Sequence, residues 1–153
     1  MEAAAVAAQR GHSVTLFDEK SALGGTLDFA AHVKGTHERI ADFKNWQIRQ
    51  VESAGVNVVL GASADASKIE AESPDIVILA TGAIAPKISI SFSESKKPLT
   101  LEEAVANELE GQVCLIGEDL RTLDYATYLM NQGTNVTLIH TSSKDEFAPE
   151  QAP

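Results

Sequence analysis

Residues 14–25 read VTLFDEKSALGG. Val14 to Phe17 alternate with high β-propensity and predict a strand. An acidic pair, Asp18 and Glu19, follows at once, and Gly24 and Gly25 come within the same loop. Upstream, residues 2–10 are helix formers and Gly11 stands where a helix stop belongs. Helix, tight turn and strand in that order are half of an α/β unit, and ligands of such folds sit at the carboxyl ends of the strands. Taken singly, each signal is ambiguous. An acid after a strand is ordinarily a solvated loop residue, and a glycine pair is ordinarily a turn. The register also leaves open whether Asp18 or Glu19 sits at the strand tip.

Outward from this stretch the α/β pattern repeats. Residues 36–55, THERIADFKNWQIRQVESAG, predict a long helix with Ile40, Phe43, Trp46 (or Gln47), Ile48 and Val51 near helical spacing and Gly55 as its stop. Trp46 is read as part of that packing face. VNVVLG (56–61) predicts a second strand, and DASKIEAES (65–73) a short helix or turn. IVILATG (76–82) is the strongest strand candidate, apolar enough to imply burial on both faces. Its end, Ala80-Thr81-Gly82, either turns the chain or lets a ligand pass. Residues 85–98, rich in Pro, Ser and Lys, read as a linker, and Thr100 caps a short helix with Glu102 and Glu103 near its positive end. Then the pattern restarts: QVCLIG as strand, DLRTLDYATYLMNQG as helix, TNVTLIH as strand. AAQRGHSVTLF and MNQGTNVTLIH share a helix end, a glycine stop, a polar turn and VTL, which suggests two related βαβ units. The last residues, 143–153, are polar and read as a disordered tail.

The bulk numbers fit a soluble α/β protein. Hydrophobic residues make up 44% of the 153 and aromatics only 5%, a bias toward Ala, Val, Ile and Leu that suits apolar parallel strands under Ala-rich helices. A net charge of −10 argues against nucleic acid and anionic lipid as partners. It does not argue against a dinucleotide, which backbone N–H groups and helix N-termini hold. The single Cys114, within VCLIG, is read as a buried strand thiol and excludes an internal disulfide or a multi-cysteine metal site within the chain. The Ala-rich start has neither a basic leader nor a long apolar core, and no stretch is long and apolar enough to span a bilayer. The default compartment is the cytoplasm.

In order and together, the motifs are far more specific than each alone. EAAAVAAQRGHSVTLFDEKSALGGTL, QVESAGVNVVLG and PDIVILATGA resemble the FAD/NAD(P)-binding region of NADH:flavin oxidoreductases of the 2,4-dienoyl-CoA reductase and trimethylamine dehydrogenase type. GQVCLIGEDL and NQGTNVTLIH fall where that family inserts its NAD(P)-binding part, so the resemblance covers most of residues 1–140. It implies a Rossmann-like FAD/NAD(P)-binding α/β fold with a parallel sheet. Residues 1–84 would form a partial FAD-binding unit, 85–110 a linker and short helix, 111–142 a partial NAD(P)-binding unit, and 143–153 the tail. It further implies that Asp18 (or Glu19) meets the ribose of an FAD or ADP, that Gly24, Gly25, Thr81 and Gly82 line its path, and that Gly117 opens the second nucleotide turn. In the family, FMN and a 4Fe–4S cluster belong to a large upstream barrel, none of which is in this sequence, so a barrel domain or partner subunit is implied as well.

Three departures qualify the resemblance. The family's first strand and GxGxxG loop, which grip the pyrophosphate, precede the helix that here starts at Glu2, so the fold is expected to be incomplete. The neighbours of that strand should then expose apolar edges, unless Val113–Ile116 takes the vacant place. In the second unit, Gly117 keeps the first glycine of GxGxxG, but Asp119 and Thr122 replace the other two. A carboxylate about 4 Å from a phosphate charge costs on the order of 4 kcal/mol at an effective dielectric near 20. His140 stands in place of the ribose-binding acid and reads as a surface residue. NAD(P)H binding by this unit is therefore not expected. The chain also stops short of the strands that complete both domains in the family, which reads as a fragment or degenerate remnant. Two functions follow from these residues. One is part of a flavin-dependent oxidoreductase with no side-chain acid, base or nucleophile of its own; the other is a degenerate nucleotide-binding or structural module. An unrelated α/β fold sharing the short motifs is the third reading.

Overall fold

The computed structural model describes residues 1–35, 38–83, 98–107, 109 and 111–140. In chain order the elements are α1 (Glu2–Gln9), β1 (Thr15–Asp18), α2 (Thr26–Lys34), α3 (Ile40–Ser53), β2 (Asn57–Leu60), α4 (Ala66–Ala71), α5 (Leu101–Val105), β3 (Gln112–Ile116), α6 (Leu120–Asn131) and β4 (Asn135–Ile139). They fall into two compact units: residues 1–25 with 42–98, and residues 26–41 with 99–153.

In the first unit α1 turns back through Gly11, whose φ of 91° suits glycine, and feeds β1. β1 pairs in parallel with β2, in a register that runs from Thr15 opposite Asn57 to Asp18 opposite Leu60. Parallel neighbours need a long crossover, which includes α3. Few of the described side chains are buried here: Ala4 and Ala5 of α1, and Val51 of α3, which alone of the three is fully buried. The sequence places Trp46 on the packing face of α3, but in the structure it is 43% exposed and stacks on the equally exposed Phe43, ring centroids 5.9 Å apart. The apolar stripe of α3 thus closes toward Val51 while its first turns stay wet. α4 starts at Asp65, whose carboxylate accepts the Lys68 N–H at 2.9 Å. That backbone bond, the Ser67 hydroxyl and the Lys68 charge hold the Asp65 carboxyl below its ordinary pKa.

The largest departure from the sequence reading lies at 76–82. This run forms no strand, and Ile76, Val77, Ile78 and Leu79 are 79%, 50%, 63% and 79% exposed. A strand exists only through its neighbours, because its N–H and C=O groups must be paired. The described sheets are both two-stranded, β1 with β2 and β3 with β4. The sequence allows Val113–Ile116 to fill a vacant place beside β1; instead those residues pair with β4. The linker at 85–98 lies outside the described residues except for Pro98, and the tail at 143–153 lies wholly outside them.

The second unit has a denser interior. β3 and β4 are parallel, from Gln112 opposite Asn135 to Ile116 opposite Ile139. α6 packs over them, and α2 and α5 pack beside α6, enclosing Phe29, Ala104, Leu115, Tyr125, Ala126 and Leu129. Tyr125 is 1% exposed; burying a side chain of that size stabilises by about 1.5–3 kcal/mol. Its rings meet Phe29 at 6.2 Å and Tyr128 at 5.9 Å. α5 is capped by Thr100, as its sequence predicts, and the cap is reciprocal: Glu103 N–H donates to Thr100 Oγ1 at 3.2 Å and Thr100 N–H to Glu103 Oε2 at 2.8 Å. The Cys114 thiol is exposed rather than buried. Side chains alternate along β3, so when Leu115 turns under the helices Cys114 turns away, and in this two-stranded sheet the outer face is open.

Candidate nucleotide-binding site

Asp18 is the last residue of β1 and is half-buried, whereas Glu19 lies in the loop and is exposed. The strand tip is held from two sides. Ala62 N–H donates to the Asp18 carbonyl at 3.1 Å and Gly61 N–H to the Lys20 carbonyl at 2.8 Å, so the end of β2 pins the loop. Asp18 Oδ1 accepts the Lys20 N–H at 2.9 Å, which fixes the carboxylate, and Oδ2 has no hydrogen bond among the described residues. An oriented carboxylate with unfilled acceptor sites can accept a hydrogen bond from a ribose hydroxyl.

The loop then reaches Gly24 and Gly25. Gly24 is buried with φ 150°, and Gly25 has φ 56°, a left-handed value that costs an L-residue roughly 1–2 kcal/mol. A Cβ built on Gly25 would meet nothing within 4 Å. The pair is therefore required by backbone conformation, and Gly25 leaves open space beside it. Thr81 and Gly82 lie on the exposed run after Leu79; Gly82 has φ 76°, and its Cβ direction is likewise open within 4 Å. In the same unit the N-terminus of α1 carries no side-chain cap. The first unit thus has an available carboxylate oxygen at a strand tip and open space at Gly25 and Gly82, features compatible with the adenosine end of a dinucleotide.

The corresponding turn of the second unit is built differently. Gly117, with φ 154°, leads from β3 toward α6, and its N–H pairs with the Ile139 carbonyl at 3.0 Å. Asp119 is the N-cap of α6, and its Oδ1 accepts the Thr122 N–H at 2.8 Å. Thr122 is buried, and its side chain fills the space beside Gly117: a Cβ there would lie 2.7 Å from Thr122 Oγ1. Close packing against Thr122, rather than room for a ligand, explains this glycine. The sequence marks Asp119 and Thr122 as replacements of glycines but does not say what they do. The available signal was the placement of Asp119 directly before the apolar Leu120, an N-cap pattern. His140 is exposed.

Around this turn Arg121 binds Glu102 and lies 4.7 Å over the Phe29 ring, while Lys34 Nζ is 3.0 Å from Asp124 Oδ2. These are half-exposed pairs of the kind worth about 0–1 kcal/mol. α2, which contributes Phe29 and Lys34, is absent from the sequence reading. Its signals were Phe29 and Val33 one helical turn apart, Lys34 in the last turn and Gly35 as a stop. Among the described residues, no cluster of His, Cys, Asp and Glu could hold a metal ion, and no helix is long and apolar enough to cross a membrane.

No protein-family model matches the chain. Curated proteins do. The chain is 36% identical over 149 residues to an NADH oxidase of Thermoanaerobacter brockii, covering 94% of this chain and 23% of that protein. It is 34% identical over 158 residues to a bilirubin reductase of Mediterraneibacter gnavus, covering 99% of this chain and 24% of that one. Among solved structures, a 2-naphthoyl-CoA reductase in complex with 2-naphthoyl-CoA superposes with a TM-score of 0.78 at 28% identity, over 90% of this chain and 21% of that chain. The chain spans about a quarter or less of the length of each.

Proposed function

The chain belongs to the NADH:flavin oxidoreductases as a piece of about a quarter of their length or less, and on that premise we propose that it is part of their FAD/NAD(P)-binding region and that its first unit binds the ADP moiety of FAD. The observation that carries this reading is the Asp18 carboxylate, fixed by the Lys20 N–H at the carboxyl end of a parallel strand with Oδ2 available. Asp18 would hold the adenosine ribose, with Glu19 beside it in the loop, and Gly24, Gly25, Thr81 and Gly82 would give the rest of the cofactor room. A bound flavin supplies the hydride and electron chemistry. The chain's own residues bind and orient it and keep the adenosine end in place.

Relatives about four times longer than this chain support a role inside a larger oxidoreductase, with electrons passing between nicotinamide, flavin and a partner domain. That partner would be a barrel carrying FMN and a 4Fe–4S cluster, as a domain or a separate subunit. A reducing cytoplasm suits the exposed, unbridged Cys114. One observation favours a second reading, a nucleotide-binding or structural module with no activity of its own: Ile76–Leu79 is exposed where a cofactor-binding sheet would bury it.

The two readings separate in a spectrum. On the first, purified protein carries a flavin absorbance, or acquires one when FAD is added and excess is removed. A colourless protein that retains no FAD would contradict independent cofactor binding.

A further inference from the structure

The family implies a nicotinamide dinucleotide at the glycine turn of the second unit. We infer that the β3–α6 turn is closed to such a ligand, because two of the chain's own side chains occupy the places that an open turn keeps for pyrophosphate. An open turn offers a phosphate two things: unpaired N–H groups at the helix N-terminus, and a glycine surface that the phosphate can approach. Here one of those N–H groups, that of Thr122, and the glycine surface are used internally.

Asp119 takes the first. Its Oδ1 accepts the Thr122 N–H at 2.8 Å, so a carboxylate of this chain sits on the helix N-terminus as the phosphate would. Its backbone carbonyl already accepts the Leu123 N–H at 3.1 Å, which locks the residue in the capping position. Thr122 takes the second. It is 4% exposed, and the space on the Cβ side of Gly117 is filled by its Oγ1 and Cγ2, 2.7 and 3.3 Å from where a Cβ would stand. A pyrophosphate entering this turn has to displace a cap, part a packed contact and accept a like charge nearby. The cap and the charge both belong to Asp119 and the packed contact to Thr122, so removing either residue leaves the other's obstacle in place. α6 is tied in below by Tyr125, Ala126 and Leu129 in the core, so the helix does not retreat to make room.

The turn is thus a structural joint rather than a phosphate site. This holds whether or not the first unit binds FAD, and residue-resolved signals keep the two questions apart. The experiment is a titration of the isotope-labelled chain with NADH, and separately with NADPH, to millimolar concentration, following the amide resonances of residues 117–122. In the wild type these resonances should show no saturable movement, even if those of residues 19–25 move. In the double variant Asp119→Gly with Thr122→Gly they should titrate, with an affinity roughly tenfold or more above any wild-type binding at these amides. Asp119→Asn removes the charge but keeps a capping side chain, so its turn should stay silent. Saturable movement of these amides in the wild type overturns the inference, as does a folded double variant that still ignores both nucleotides. Should the double variant not fold, the asparagine variant decides: binding there would make charge alone the barrier and overturn closure by packing.

Discussion

The two βαβ-like units use the same parts to different ends. Each has a pair of parallel strands, a helix beside them and a glycine in the strand-to-helix connection. In the second unit the parts close on themselves. Six side chains form a core, Asp119 caps α6, and Thr122 fills the space at Gly117. In the first unit the parts remain open. Among its described residues the buried hydrophobics are Ala4, Ala5 and Val51, α1 has no side-chain cap, Asp18 has an oxygen to offer, and Ile76–Leu79 faces solvent. Internal satisfaction of polar and apolar groups makes a stable joint, and unsatisfied groups make a surface that binds something.

The largest effect should come from the closed unit's core. Tyr125→Ala should cost about 3–5 kcal/mol, the range for removing a buried aromatic ring, read by urea denaturation; a cost below about 1 kcal/mol would break the contrast. Val51→Ala removes two buried carbons from the open unit and should cost about 2 kcal/mol. Next comes Gly117→Ala, whose new methyl would meet Thr122 Oγ1 at 2.7 Å. It should cost about 1–3 kcal/mol, and the loss should shrink when Thr122→Ala removes both the Oγ1 and the Cγ2 that the new methyl would meet. If the two substitutions prove additive in a double-mutant cycle, the packed contact is not what constrains this glycine. Ile78→Ser should change stability by no more than about 0.5 kcal/mol, because the side chain is already exposed. It should also reduce binding of an apolar dye. A large stability loss would show that the run is packed after all.

A pH scan sharpens the same comparison. Burial, with a smaller contribution from Tyr128, raises the Tyr125 pKa above its ordinary value. The unfolded chain then loses that proton first, so stability present below about pH 10 falls as the pH rises through the folded pKa. The Asp65 carboxyl is shifted the other way, and its contribution at the α4 cap is lost as the pH drops below about 3.9. Alkaline loosening should therefore register in the core resonances of the second unit, and acid fraying at residues 65–68 of the first. The reverse pattern would contradict the assignment.

Much of this was legible in the sequence where the pattern is local. The alternation at 14–17 places β1 to within a residue, and Thr100 announces the cap of α5 because a cap is written within a few positions, though the return bond from Glu103 was not read. What failed depends on neighbours. IVILATG reads as a doubly buried strand, but burial is a property of the sheet around it, and no described strand lies alongside. Cys114 failed for the same reason: an apolar strand has two faces, and only one is covered here. α2 went unread because the glycine pair before it reads as a loop and its large apolar residues, Leu27, Phe29 and Val33, fall within a short nine-residue stretch. At the candidate site, Asp18 and Gly117 were visible as residue types at spacings. That one carboxylate is available and that the other turn is filled are facts of geometry, which spacing does not carry.

The most direct measurement is a calorimetric titration of ADP into the wild-type chain, Asp18→Ala and Asp119→Ala. The account predicts binding by the wild type, weakened by about 1–3 kcal/mol in Asp18→Ala, the value of a charge-assisted hydrogen bond, with the Asp119 variant binding no more weakly than the wild type. An affinity unchanged by Asp18→Ala, or one abolished by Asp119→Ala, would contradict it.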